Sequence, residues 1–150
     1  MWRAGGFVVT PDGRVSALVA MAAVGAGIAV AGPAHADEAV APYRVTYTVS
    51  VDQPTSAGIY FREVDPPTWA DYSHNPYQFS PKVDVALDPG RPWVREVALA
   101  DPMKWAMVTV TTAGLAPPSE RTLSCELAVN GVVVDRASGT QGALCSLRSW

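Results

Sequence analysis

Leu123-Ser124-Cys125-Glu126-Leu127-Ala128-Val129-Asn130-Gly131-Val132-Val133-Val134-Asp135 sets Leu123, Cys125, Leu127 and Val129 on one side of the chain, and then turns back at an Asn-Gly pair into a second apolar run. A period of two is that of a half-buried strand. Asn and Gly both tolerate positive φ, as the two central residues of a type I′ turn require. The stretch predicts a β-hairpin made of Leu123–Val129 and residues 132–135.

The same periodicity recurs upstream. In Tyr43–Val51 the residues Val45, Tyr47, Val49 and Val51 face one way, and Arg44, Thr46, Thr48 and Ser50 the other. Residues 52–58 carry turn chemistry (Asp, Pro, Ser, Gly), and residues 59–64 read as a returning strand. Lys82–Leu87, Trp93–Leu99 and 104–112 follow as strands, broken by Asp88-Pro89-Gly90 and Ala100-Asp101-Pro102. After a loop over 136–142, residues 144–147 form a short closing strand. No segment after residue 37 sustains a helical period. Seven to eight short strands separated by Pro/Gly turns predict an all-β fold, a small sandwich of immunoglobulin-like architecture over residues 43–150.

The N-terminus has a different character. Arg3 and Arg14 precede an uncharged run over residues 15–32, Gly32-Pro33 ends it, and Ala34-His35-Ala36 offers small residues where a signal peptidase needs them. Residues 1–36 therefore predict a cleavable signal peptide, with the mature chain starting at Asp37 and a loose leader over 37–42. The alternative is a retained anchor, because the 18-residue run is just long enough to cross a bilayer. Either way the domain is exported, to the periplasm and envelope or into the medium. The two cysteines, Cys125 and Cys145, both follow the signal. An even count in an exported chain predicts a disulfide, and closing about 20 residues contributes ~3 kcal/mol in the chain-entropy model.

From residue 37 onward nine Arg/Lys stand against thirteen Asp/Glu, a net charge of −4. That argues against a nucleic-acid partner and against a basic face for anionic lipid. His74 is the sole histidine of the mature chain, so multi-histidine metal sites are unavailable and no metal or cofactor motif is present. A nucleophilic triad would have to join His74 to residues such as Ser80 and Asp84, with no nucleophile-elbow motif around the serine. Asp65 and Asp71 could be imagined as a carboxylate dyad, but loop acids are usually solvated. The chain predicts no catalytic residues and a non-enzymatic role.

One segment stands apart. Residues 65–81 hold Trp69, Tyr72, His74, Tyr77 and Phe79 among four prolines. Aromatic side chains on a long, proline-stiffened loop make a candidate recognition surface for a lipid, glycan or protein. Alternatively, the rings fold back and cover one end of the sandwich. Trp93 and Trp105, placed in strands, are expected in the core.

The order of these features carries a family resemblance. Val45-Thr46-Tyr47-Thr48-Val49 opens the domain, Pro92-Trp93 starts a middle strand, and the Cys125 hairpin precedes Ala143-Leu144-Cys145-Ser146-Leu147. This pattern resembles the periplasmic domain of the mycobacterial membrane protein small (MmpS) family. The resemblance implies a disulfide-bearing β-sandwich that assists an RND-type (MmpL) transporter in exporting lipids or siderophores across an actinobacterial envelope. It supplies no catalytic residues. Members of that family keep an N-terminal membrane anchor where this chain has a cleavage pattern, which leaves a freely secreted binding module using loop 65–81 as the alternative.

Overall fold

The computed structural model describes residues 40–112 and 121–148. The signal segment, its Ala36/Asp37 junction and the leader up to residue 39 lie outside the described residues. Alternating side chains produce eight strands: β1 (Tyr43–Val51), β2 (Thr55–Phe61), β3 (Lys82–Leu87), β4 (Trp93–Leu99), β5 (Met107–Thr111), β6 (Leu123–Val129), β7 (Val132–Gly139) and β8 (Gly142–Ser146). They form two four-stranded sheets in the orders β4-β1-β6-β7 and β3-β2-β5-β8, with every pairing antiparallel. Links β2–β3 and β6–β7 stay within a sheet, and the others cross between sheets. The protein is the all-β sandwich that its sequence predicts.

The inward positions of the two sheets meet in one core. Val45, Tyr47 and Val49 of β1 face Ile59 of β2 and Val108 of β5, with Leu123 and Leu127 of β6, all fully buried. Cys125 on β6 is bonded to Cys145 on β8, so the disulfide joins one sheet to the other. Asn130 and Gly131 take φ of 49° and 82°, the left-handed pair that the Asn-Gly turn requires.

Several boundaries differ from the sequence reading. β2 begins at Thr55, because Thr55 to Gly58 already pair with β3; small and turn-forming residues had masked the ladder. β7 continues to Gly139, past a bulge where Leu127 faces Asp135 and Ala128 faces Val133. The expected loop over 136–142 shrinks to the tight turn between β7 and β8. A Cβ on Gly139 would collide with the carbonyl oxygen of Gly142, so this turn needs glycine for close backbone approach.

The expectation of no helix is also corrected. Three short helices occur, α1 (Trp69–His74), α2 (Pro76–Phe79) and α3 (Pro102–Trp105). Each begins with a capping or proline signal. The Thr68 hydroxyl accepts from the Asp71 N–H, the Asp101 carboxylate accepts from the Lys104 N–H, and Pro76 and Pro102 occupy first turns. At four to six residues none is long enough to express a 3.6-residue period. Trp105 is therefore on α3 rather than in a strand, although it is buried as expected, and β5 starts two residues later. Trp93 lies on β4, half-buried, with its ring 5.4 Å from that of Phe61. Among the described residues no helix is long and apolar enough to cross a membrane.

Candidate functional site

The pairing registers bring the start of β1, the ends of β2 and β4, the hairpin turn after β6 and the exit of β8 to one end of the sandwich. Tyr43 lies opposite Leu99, Val45 opposite Val129, Phe61 opposite Val108, and Met107 opposite Ser146. Across this end lie the β2–β3 connection, carrying α1 and α2, and the β4–β5 connection, carrying α3. Asp65 ties the two together. Its carboxylate accepts from the backbone N–H of Ala100 (2.7 Å) and of Asp101 (3.0 Å). The Arg62 N–H bonds the Met107 carbonyl at 2.8 Å, and the Glu63 N–H bonds that of Phe79 at 2.9 Å.

Three rings assemble on this scaffold. Trp69 of α1 stacks on Trp105 of α3 with centroids 5.8 Å apart and planes 16° from parallel. Tyr72, one turn after Trp69, sits 5.2 Å from Trp69 and 5.9 Å edge-on to Trp105. Cations lie on the ring faces. The Arg62 guanidinium carbon is 4.1 Å from the Tyr72 centroid and 5.2 Å from that of Trp105, Lys104 is 5.0 Å from Trp105, and Arg148 is 4.3 Å from Trp69. Such contacts contribute about 0.5–2 kcal/mol each, most where water is excluded.

Arg62 is the unusual member. Its side chain has no solvent exposure, and it lies at the closed end of β2 where Tyr47 anchors its backbone. The Tyr47 hydroxyl donates to the Arg62 carbonyl at 2.9 Å, and burial pushes the Tyr47 phenol well above its ordinary pKa. The Arg62 Nε donates to the Trp105 carbonyl at 3.2 Å, but Nη1 and Nη2 have no hydrogen-bond partner. No carboxylate pairs with it among the described residues. Asp65 is committed to backbone donors, and Glu63 is bound to Arg95 at 2.7 Å. A buried guanidinium presents a planar fork of donors matched to a carboxylate or phosphate oxygen pair, and here that fork is unused.

The residues singled out from sequence thus divide. Trp69 and Tyr72 join the cluster, with Trp69 44% exposed and Tyr72 half-buried. Phe79 is buried beneath the connection, the covering role held as the alternative. Tyr77 is 69% exposed and packs its ring 6.3 Å from Tyr60 on the outer face of the second sheet, away from the other three rings. His74 is exposed on α1, with Nδ1 held 2.7 Å from the carbonyl of Ala70. It makes no hydrogen bond to Ser80 or Asp84: Ser80 is buried, and Asp84 pairs with Lys82 at 2.9 Å. Asp71 bonds the Thr68 hydroxyl at 2.6 Å, so Asp71 and Asp65 both act as local acceptors. Arg62, Trp105, Lys104 and Arg148 were missed as site residues. Arg62 falls inside the strand read over residues 59–64, on the side opposite Ile59 and Phe61, a position that ordinarily reads as solvated.

Among the described residues no group of three His, Cys, Asp or Glu could hold a metal ion. What the end offers chemically is a set of stacked rings and, beneath them and closed off from solvent, an arginine whose terminal N–H groups have no hydrogen-bond partner.

Comparison with known proteins covers most of this architecture. The family model of the Rv2576c β-sandwich domain matches residues 47–145, which run from β1 to the second cysteine. Rv2576c of Mycobacterium tuberculosis H37Rv and Mb2606c of Mycobacterium bovis are each 34% identical to this chain over 127 residues, covering 83% of it and 80% of the relative. Their names assign no activity. No solved structure matches the chain significantly.

Proposed function

This chain belongs to the Rv2576c β-sandwich domain family, and we propose that it acts as a non-enzymatic, exported binding protein of the cell envelope. In this reading it is an accessory of the MmpS kind, which holds an acidic lipid or siderophore and presents it to an RND-type transporter. The observation that carries the reading is Arg62, a fully buried guanidinium with four unpaired N–H donors under the Tyr72 and Trp105 rings. An unpaired buried charge is costly, and a bound carboxylate or phosphate would relieve that cost. Helix α1, which buries none of its residues, is the least enclosed part of the cover over Arg62 and is where this reading places ligand entry.

The test is a titration with a long-chain fatty acid as probe. Trp69 and Trp105 report binding by fluorescence, and the methyl ester of the same acid serves as the control. The acid is expected to change the emission saturably and the ester is not, while Arg62→Met abolishes the response. An equal response to acid and ester, or an unaltered Arg62→Met variant, refutes the assignment. For the transporter, crosslinking in native envelopes followed by affinity purification is expected to recover an RND-type protein; its absence refutes that part.

The Ala34-His35-Ala36 pattern favours a second reading, in which the domain is released and carries its ligand in the medium. Intact mass separates the two: a species starting at Asp37 in the culture supernatant supports release, and a full-length species in the membrane fraction supports the anchored accessory.

A further inference from the structure

The end of the sandwich opposite the ring cluster holds a second buried arginine, which the proposed function leaves unused. Arg121 leads into β6 beside the turn between β1 and β2. There Val51 lies opposite Leu123, and the next residues out bond reciprocally: the Asp52 N–H donates to the Thr122 carbonyl at 3.3 Å, and the Thr122 N–H to Asp52 Oδ1 at 2.6 Å. From this fixed backbone the Arg121 side chain crosses to the other sheet, where Nη1 donates to the hydroxyl of Thr55, the first residue of β2. That hydroxyl donates in turn to the Ser56 carbonyl at 3.3 Å. Arg121 is only 7% exposed, and its Nε and Nη2 have no hydrogen-bond partner.

Which nitrogens are unpaired decides the chemistry. Nε and Nη2 share one edge of the planar guanidinium and point an N–H each in the same direction, the fork that matches two oxygens of a carboxylate or phosphate. Burying that edge is costly unless an anion meets it. The described acids nearby are committed elsewhere: Asp52 accepts from the Thr122 N–H, and Asp88, which follows the Leu87 paired with Thr55, lies 3.6 Å from Arg91. Among the described residues no carboxylate forms an ion pair with Arg121. Glu120, its neighbour in sequence, lies with the rest of 113–120 outside the described residues. We propose that Arg121 forms an anion site of its own, which takes one compact oxyanion, a carboxylate or a phosphate, in two parallel bonds from Nε and Nη2. Thr55, by holding Nη1, fixes the plane of the guanidinium and leaves the opposite edge for the ligand. With so little of the residue exposed, that ligand is a small ion rather than the acidic lipid or siderophore proposed for Arg62.

The site does not depend on the reading of Arg62, which follows the last residue of the seven-residue strand that Thr55 begins, a length of roughly 20 Å. Nitrogen–proton correlation spectra of the disulfide-intact protein resolve the Nε–H signals of buried arginines and so test the two separately. With ionic strength held constant by chloride, inorganic phosphate or acetate is expected to move the Arg121 Nε–H signal saturably, and to do so equally in Arg62→Met; the anion that saturates it at the lower concentration identifies the oxyanion. Arg121→Lys keeps the charge and loses the fork. It is expected to weaken binding about tenfold or more, read from the Thr55 and Ser56 amide signals, as the loss of one charge-assisted hydrogen bond requires. An Arg121 signal that neither anion moves, a response that vanishes in Arg62→Met, or undiminished binding in Arg121→Lys overturns the proposal. So does a Glu120→Gln substitution that alone displaces the Arg121 signal as far as saturating anion does, because the chain then supplies its own carboxylate.

Discussion

Replacing Arg62 with Met is expected to make the protein more stable. The guanidinium is fully buried, keeps a single hydrogen bond (Nε to the Trp105 carbonyl) and leaves Nη1 and Nη2 unpaired. Met fills a similar volume and regains part of the ring contact through its sulfur, roughly 0.3–1.5 kcal/mol. The substitution forfeits one charge-assisted hydrogen bond, about 1.5–3 kcal/mol, and the cation–π contacts with Tyr72 and Trp105, about 0.5–2 kcal/mol each. Against this it removes the desolvation penalty of an unpaired ion, which is several kcal/mol even after relaxation. Replacing buried ionic groups by apolar side chains of similar volume is often stabilising by about 1–4 kcal/mol; the forfeited contacts put this case at the low end, and a gain of about 1 kcal/mol raises the melting temperature of a domain this size by roughly 4–8 °C. Thermal unfolding followed by circular dichroism, with the disulfide kept oxidised, measures it. Saturating anionic ligand should then reverse the ranking, since binding at a hundred times Kd adds about 2.7 kcal/mol to the native wild type and nothing to the variant. A lower melting temperature for Arg62→Met in the absence of ligand would refute the reasoning, because it would mean that the arginine is satisfied where it sits.

Three further outcomes follow from the fold. Cys125→Ala with Cys145→Ala should cost ~3 kcal/mol in denaturant titration, the loop-closure value for a separation of 20 residues, and reduction of the wild type should reproduce it. Tyr47→Phe tests the buried phenol. Its pKa is raised in the folded state above an unfolded value near 10, so the stabilisation is complete below pH 10 and is lost above it, at about 1.4 kcal/mol per pH unit. The variant should lose that alkaline slope, and near pH 7 it should be about 1 kcal/mol less stable for want of the bond to the Arg62 carbonyl; an unchanged slope contradicts the assignment. Gly131→Val places a β-branched side chain at φ 82° and should cost about 1–3 kcal/mol in chemical unfolding, with retention of full stability counting against the type I′ turn.

What was legible in the sequence was whatever repeats along the chain. Alternation over Tyr43–Val51 and Leu123–Val129, the Asn130-Gly131 turn and the cysteine pair lead to strands, hairpin and inter-sheet bridge. Single-turn helices leave no period, although Thr68 before Asp71 and Asp101-Pro102 before Lys104 were capping signals in plain view. The site was half visible. Trp69 and Tyr72 announced themselves as aromatics in a long connection, whereas Arg62 and Arg148 gain their meaning from rings far away in the chain, on α1 and α3. Tyr77 and Phe79, similar on paper, separate into an exposed ring and a buried one because only the fold decides which side of α2 meets the core.

The bridge between β6 and β8 has a mechanical consequence. It lies towards one flank of the sandwich, beside the edge strands β7 and β8, where Asp135 also accepts from the Ser146 N–H at 2.8 Å. The other flank, with edge strands β4 and β3, has no disulfide and is tied only by the chain over 88–92, at the end away from Arg62. The two sheets therefore behave like the covers of a book, bound along a spine at Cys125–Cys145 and free to part along the fore-edge. Arg95 on β4, clasped to Glu63 beside Arg62, lies on that fore-edge side, so any breathing of the covers is felt first next to the buried arginine.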